Sequence, residues 1–295
     1  MRVLLFGRGG QVGGELARAF EGRAAYDLVA LDRAGCDLSD PDAVHAAIAH
    51  ARPQVIVNAA AWTAVDRAEA EPQACRQINV VAPAAMAAAA RDTGALLVHY
   101  STDYVFDGHS RHPYREADPV GPLGVYGWSK LAGEQAITAS GCAALVLRTS
   151  WVYGMTGGNF LRTMLRLAGE RDELGVVDDQ HGSPTWSRSI ARCTLDLLDR
   201  HAHDPAAWAG ISGIYHATAR GSTTWFGFAS AIFEHAPGLA RRPRLRPITT
   251  ADYPTPALRP AWSVLDCSRL ESRFGLALPH WRDALIECLA DASGT

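Results

Sequence analysis

Val3-Leu4-Leu5-Phe6-Gly7-Arg8-Gly9-Gly10-Gln11-Val12-Gly13, residues 3–13, is the stretch on which the fold turns. Four consecutive apolar residues predict a short buried strand, and the glycines end it at once. Gly7, Gly10 and Gly13 stand at the spacing GxxGxxG, and Val12, Leu16 and Phe20 then recur every four residues as the inward stripe of a helix. Glycines at such a junction allow a tight turn and the close approach of a pyrophosphate, whose charge the N–H groups at the helix start can meet. A second strand, Leu28-Val29-Ala30-Leu31, ends in Asp32, where an acid can accept hydrogen bonds from a ribose. Strand, glycine turn, helix, strand and acid within 32 residues predict the dinucleotide-binding half of an α/β fold.

The alternation continues. A helix is predicted from Ser39–Asp42 to about His50, then a strand over Gln54–Asn58 that opens onto Ala59-Ala60-Ala61-Trp62-Thr63. A long helix follows over about 73–93 with Asn79 inside it, where a bond to backbone and a relay role are equally open readings. Strands are predicted at 95–100 and 144–148. Beyond residue 154 the pattern loosens into helices at about 160–168, 186–198, 223–233 and 281–289, with short strands at 174–177 and 213–217. Residues 237–262, rich in Arg and Pro, are expected to be irregular. The expected architecture is a Rossmann-like doubly wound parallel sheet over 1–154, completed by parts of 174–200. A smaller C-terminal substrate-binding lobe, over 155–295, closes on it.

One count singles out a second stretch. Of 28 Lys plus Arg, Lys130 is the only lysine. A compact ammonium differs from a planar guanidinium where rotatable donors are needed. Tyr126 lies four residues earlier, so the two share one helix face. An ammonium close to a phenol lowers the phenol's pKa and makes it a proton donor or acceptor near neutral pH. At the carboxyl end of the strand at 95–100 stands Ser101-Thr102-Asp103-Tyr104, where doubly wound sheets bind ligands.

Composition narrows the partners. A net charge of −3 gives no electrostatic reason to expect nucleic acid or an anionic membrane. The six cysteines show no CxxC pair, and no His cluster has metal spacing, so no metal site and no disulfide framework is expected. No apolar run is long enough to span a bilayer, and the chain opens directly on a strand, so a cytoplasmic protein without a signal peptide is expected.

The GxxGxxG turn, the Ser/Thr at a strand end and the downstream YxxxK together resemble the extended short-chain dehydrogenase/reductase superfamily. Within it the chain is similar to the dTDP-4-dehydrorhamnose reductase family, through LLFGRGGQVG at 4–13, RPQVIVNAAAWTAVDRAE at 52–69 and VHYSTDYVFDG at 98–108. The likeness extends through VYGWSKLAGE at 125–134, RTSWVYG at 148–154, DDQHGSPT at 178–185, STTW at 222–225 and YPTPALRP at 253–260. The resemblance implies transfer of a hydride from NADPH, with NADH possible, to C4 of a dTDP-4-keto-6-deoxysugar, the last step of dTDP-L-rhamnose synthesis. It implies that Tyr126 protonates the forming alkoxide while Lys130 holds the nicotinamide ribose and Thr102 bonds the reacting oxygen. Gly7, Gly10, Gln11, Val12, Asp32, Asp37, Leu38, Ala61, Trp62, Thr63 and Tyr100 would line the dinucleotide. Thr102, Asp103 and Trp151 would contact the sugar, with Asn159, Trp225 and Arg259 toward the nucleotide end, Arg259 as a diphosphate partner. Asp32 disfavours a 2′-phosphate and Arg33 favours it, so NADH and NADPH both stay open.

Two features bear on rival readings. Related 4,6-dehydratases carry Thr-Asp-Glu at this strand end, whereas Tyr104 stands here and the base for eliminating water is missing. A reductase of another nucleotide 4-keto-6-deoxysugar and a non-catalytic dinucleotide-binding regulatory subunit remain as alternatives. Some family members hold Mg²⁺ between subunits through glutamates, one of them just after the GxPT segment. This chain has Glu15 but Arg188 at that later position, so metal-bridged dimerisation is expected to be lost, leaving a monomer or homodimer.

Overall fold

The computed structural model describes residues 1–201, 204–239 and 241–292. Six parallel strands form the central sheet: β1 (Arg2–Phe6), β2 (Asp27–Leu31), β3 (Val55–Asn58), β4 (Leu96–Thr102), β5 (Ala144–Thr149) and β6 (Gly213–His216), in the order β2-β1-β3-β4-β5-β6. All five pairings are parallel. The chain leaves β1 for one side and returns to β3 on the other, so a crevice opens outside the carboxyl ends of β1 and β3.

Both faces of the sheet are covered, which is why its strands read as unbroken apolar runs. Successive residues point to opposite faces. Val3, Leu5, Val55, Val57 and Val98 pack with Leu16 and Phe20 of the Gln11–Phe20 helix and with Ile190, Leu197 and Leu198 of the Ser187–His201 helix. Leu4, Phe6, Ile56 and Leu97 pack instead with Val44, Ile48, Met86, Ala90 and Ile137 from helices Pro41–Ala51, Ala82–Thr93 and Val125–Ser140.

The C-terminal half is divided between two cores. Trp208, Tyr215, Leu270 and Phe274 join the sheet core, and β6 is its last strand. Helices Phe160–Glu170, Trp225–His235 and Trp281–Ala292 build a separate core around Tyr153, Met164, Trp186, Phe228, Ile232 and Leu285.

Two local expectations change. The helix predicted over 73–93 is broken by a π-helical segment, Gln77–Val81, with Asn79 at its centre. Residues 237–262 are not wholly irregular: Arg244–Ile248 pairs in parallel with Glu173–Val177, so Leu245 lies beside Leu174 and Ile248 beside Val177. Leu245 and Ile248 put one apolar side chain on each face of this strand, a pattern that the Arg and Pro content concealed.

Candidate active site

The glycine turn sits at the crevice. Gly7 has φ +89, and its N–H and that of Arg8 both donate to the Leu31 carbonyl, at 2.9 and 3.0 Å, tying the turn to the end of β2. A Cβ on Gly7 would lie 2.6 Å from the Ala60 nitrogen, and one on Gly13 only 1.9 Å from the Gly7 carbonyl oxygen. The Gln11–Phe20 helix starts at Gly10 without a side-chain cap, so its first N–H groups have no protein side chain as acceptor. Beyond β2, Asp32 is exposed and its Oδ1 accepts from the N–H groups of Ala34 and Gly35 at 3.0 Å. Asp37 is exposed and accepts from the Ser39 N–H, which holds its carboxyl below the ordinary range, while Leu38 is buried.

Past β3, Ala61 and Trp62 are half-buried and Thr63 is exposed. The π-segment now has a purpose. Asn79, fully buried, accepts from the Trp62 N–H at 2.8 Å and donates to the Trp62 carbonyl at 3.0 Å and to Ser129 Oγ at 2.9 Å. Of the two readings of Asn79, the bond to backbone is present. Asn79 clamps the two peptides that flank Trp62 and joins that loop to the Tyr126 helix through Ser129.

That helix, Val125–Ser140, is aimed by its neighbours. Its N-cap Gly124 offers no side chain, and Glu69 Oε1 accepts from the Val125 N–H at 2.8 Å instead. A Cβ on Gly127 would lie 2.3 Å from the Tyr104 carbonyl oxygen, so glycine lets this helix lie against the end of β4. Tyr126 is thereby brought beside Thr102, its ring edge-on to Tyr104 with centroids 5.6 Å apart. Thr102 Oγ1 donates to Asp103 Oδ1 at 3.0 Å, and Ser150 Oγ donates to Asp103 Oδ2 at 3.0 Å. Burial pushes the Asp103 carboxyl up to about 6, against the hydrogen bonds from Ser263, Ser150 and Thr102.

Lys130 is buried one turn beyond Tyr126, with 2% of its surface exposed. Its Nζ donates to the Tyr100 carbonyl at 2.6 Å and meets His99 Nε2 at 3.2 Å. Burial lowers its pKa to about 8, against the Glu134 carboxylate one turn further on. The expected depression of the Tyr126 pKa does not occur in this arrangement. Burial raises the phenol well above its ordinary value, and the opposing influence is the Thr102 hydroxyl, because Lys130 Nζ is turned to the Tyr100 carbonyl and to His99. Tyr100 likewise serves through its carbonyl: its phenol lies in the sheet core, 2.6 Å from Thr194 Oγ1.

Beyond β5, Trp151 takes φ +46 and stacks on Trp225, centroids 3.5 Å apart and planes 3° from parallel. Trp225 Nε1 donates to Gln180 Oε1 at 3.1 Å. Asn159 is committed to the protein: its amide donates to Gln11 Oε1 and the Gly154 carbonyl, both at 2.8 Å, and its Oδ1 caps the helix after it. Arg259 is held in a forked pair by Asp66, 2.7 Å from Oδ2 and 3.1 Å from Oδ1, so a protein carboxylate already meets the charge assigned to a diphosphate. Sequence reading missed Asn58, Glu69, His99, Ser129 and Ser150, which reach the site only across strands or between helices. Gly127 and Gly133, on the Tyr126 helix, were local signs of a close approach.

Around Glu15 the structure places guanidinium groups. Arg188 Nε lies 2.9 Å from Glu15 Oε2 and its Nη2 lies 2.6 Å from Asp291 Oδ2, with Arg18 Nη1 2.9 Å from Glu15 Oε1. A guanidinium already bridges the carboxylates, and among the described residues no group of His, Cys, Asp and Glu could hold a metal ion. No helix among them is long and apolar enough to cross a membrane.

Comparison with known proteins matches this geometry. The chain is 48% identical over 296 residues, 99% of each sequence, to a dTDP-4-dehydrorhamnose reductase of Burkholderia thailandensis. Among solved structures, a dTDP-4-dehydrorhamnose reductase of Clostridium acetobutylicum superposes with a TM-score of 0.91 at 35% identity, over 99% of this chain and 100% of that one. One from Bacillus anthracis, in complex with NADP, gives 0.89 at 33% identity, over 98% and 99%. The family model described as RmlD substrate binding domain matches residues 1–293, and the chain belongs to that family.

Proposed function

We propose that the chain reduces the C4 keto group of dTDP-4-dehydro-L-rhamnose to dTDP-L-rhamnose, the last step of dTDP-rhamnose biosynthesis. The observation that carries this reading is the convergence of Thr102, Tyr126 and Lys130 at the carboxyl end of β4, on the same edge of the sheet as the glycine turn. The turn fits a dinucleotide: a Cβ at Gly7 or Gly13 would fill it, and the helix start behind it is uncapped. Gly10, Gln11 and Val12 would meet the pyrophosphate, and Asp32 with Asp37 and Leu38 the adenosine end. Ala61, Trp62 and Thr63 would flank the cofactor. When bound, NADPH supplies the hydride; Arg33 and Arg8, both exposed near the end of β2, favour it over NADH.

The chain's own residues manage the proton. Hydride addition to a ketone places negative charge on oxygen, and Tyr126 donates its phenolic proton there. The raised phenol pKa keeps that proton in place at neutral pH until the oxygen needs it. Thr102 hydrogen-bonds the same oxygen, and Lys130 orients the ribose and balances the phenolate left behind. Asp103, Trp151 and Trp225 face the sugar and base. This reading divides the chain into a dinucleotide part over 1–154, helped by the Ser187–His201 helix and β6, and a substrate lobe. It goes with a cytoplasmic monomer or homodimer that needs neither Mg²⁺, nucleic acid nor membrane.

NADPH oxidation with dTDP-4-dehydro-L-rhamnose, followed by absorbance, tests it. Tyr126→Phe is expected to lose on the order of 10²–10⁴-fold in kcat while still binding NADPH. Lys130→Arg is expected to lose turnover as well, since a planar fork cannot replace the ammonium. A wild type that binds NADPH but turns nothing over would move the regulatory-subunit reading forward.

A further inference from the structure

Behind Lys130 lies a buried pair that the reduction itself does not use. Asn58 ends β3 and His99 sits directly across from it on β4, as register partners with 1% and 0% of their surface exposed. The Ala60 N–H can only donate, and it donates to Asn58 Oδ1 at 3.2 Å. The Asn58 amide nitrogen therefore faces His99 Nδ1, at 3.0 Å. Nδ1 must accept, so the single proton of a neutral imidazole resides on Nε2. Nε2 in turn faces Lys130 Nζ at 3.2 Å.

That chain of donors has a direction. An N–H at His99 Nε2 meets the lone pair of an amine well and the hydrogens of an ammonium badly. A neutral Lys130 can accept from His99 and still donate to the Tyr100 carbonyl, 2.6 Å away. We propose that Asn58 and His99 are positioning residues which, by locking the His99 tautomer, bias Lys130 toward its amine form and set the pH at which its charge is available to Tyr126.

This bias adds to that of burial, and the other titratable groups around Lys130 do not supply it. On its own helix Glu134 favours the ammonium, but it is paired in a forked bridge to buried Arg148 of β5, at 2.9 and 2.7 Å. Cys75, from the helix Pro72–Arg76, keeps its thiol protonated because burial raises it. Tyr126 stays protonated for the same reason, and Asp103 at the end of β4 is bonded to Thr102 and Ser150. His99 itself stays neutral, since burial and the neighbouring Lys130 both oppose a charge on it.

The solitary lysine makes the test direct. Feeding lysine labelled at Cε and Nζ gives one signal from the full-length chain, and its titration reads Lys130 alone. The wild type is expected to titrate near pH 8, and the His99 ring nitrogens to report a neutral Nε2–H tautomer from pH 5.5 to 9. Asn58→Asp accepts from Ala60 and from a proton on Nδ1, which frees Nε2 to accept from an ammonium. His99→Gln can turn its amide oxygen to the same place. Either variant is expected to move the Lys130 titration upward by a unit or more, a tenfold change in proton affinity, and to carry the alkaline limb of kcat with it while KM moves less. A Lys130 that stays protonated to pH 10 in the wild type overturns the proposal, as does an Nδ1–H tautomer or a titration unmoved in both variants. The role assigned to Lys130 rests on the reduction proposed above, but the two resonance measurements need no substrate. Their failure would leave that reading standing, and its failure would leave them interpretable.

Discussion

At the scale of single residues, Asp103 carries a measurable cost of burial. Its folded pKa of about 6 lies above the ordinary carboxyl value of 3.8. Between those values the folded chain binds more protons than the unfolded one, so stability falls as pH rises through that window and the loss is complete above it. The size is on the order of 2–3 kcal/mol. Asparagine cannot ionise, so Asp103→Asn is expected to gain on the wild type by about that amount between pH 4 and pH 7.5 in urea melts. Parallel pH profiles for the two proteins would refute the assignment. Tyr126, Lys130 and Thr102 are legible in the sequence alone, since a lone lysine four residues after a tyrosine is a local pattern. His99 and Asn58 are not, because 41 positions separate them and only strand register brings them together.

At the scale of elements, the π-segment Gln77–Val81 converts a helix residue into a loop clamp. Asn79 satisfies both backbone polar groups of Trp62, 17 positions away. Asn79→Leu keeps the approximate shape and orphans both groups. It is expected to cost about 2–6 kcal/mol of stability, at about 1–3 kcal/mol for each group left unsatisfied. NADPH affinity, read by isothermal titration calorimetry, is expected to weaken with it. Unchanged stability and affinity would mean that the clamp is idle. Helical periodicity marked the element correctly and hid the bulge, since one extra residue in a turn leaves the apolar spacing almost intact.

At the scale of the whole molecule, Arg188 ties three helices together. It reaches Glu15 on Gln11–Phe20 and Asp291 on Trp281–Ala292 from its own Ser187–His201 helix. Glu15 is 6% exposed, so removing the guanidinium leaves a buried carboxylate short of a partner. Arg188→Ala is expected to destabilise by roughly 1–3 kcal/mol. In the wild type, neither EDTA nor added Mg²⁺ is expected to change the melting temperature or the mass measured by light scattering. A Mg²⁺-dependent dimer would contradict the reading of Arg188 as the cation of this site. The same scale decides Arg259, whose forked bond to Asp66 joins the segment after Thr255 to the Val65–Ala70 helix.

The sequence by itself determined the parallel sheet, the glycine turn and the Tyr126–Lys130 face, because each follows from a pattern within a few residues: an unbroken apolar run, period four, or glycine at a junction. Only the tertiary structure decided what surrounds them. Strand register set His99 against Asn58, close helix contacts set Glu69 and Asn79 on their peptides, and the packing of distant segments placed β6 in the first core and Asp66 on Arg259. Burial then reversed the sign expected for Tyr126, since desolvation depends on everything packed around a group and not on its neighbours in the chain.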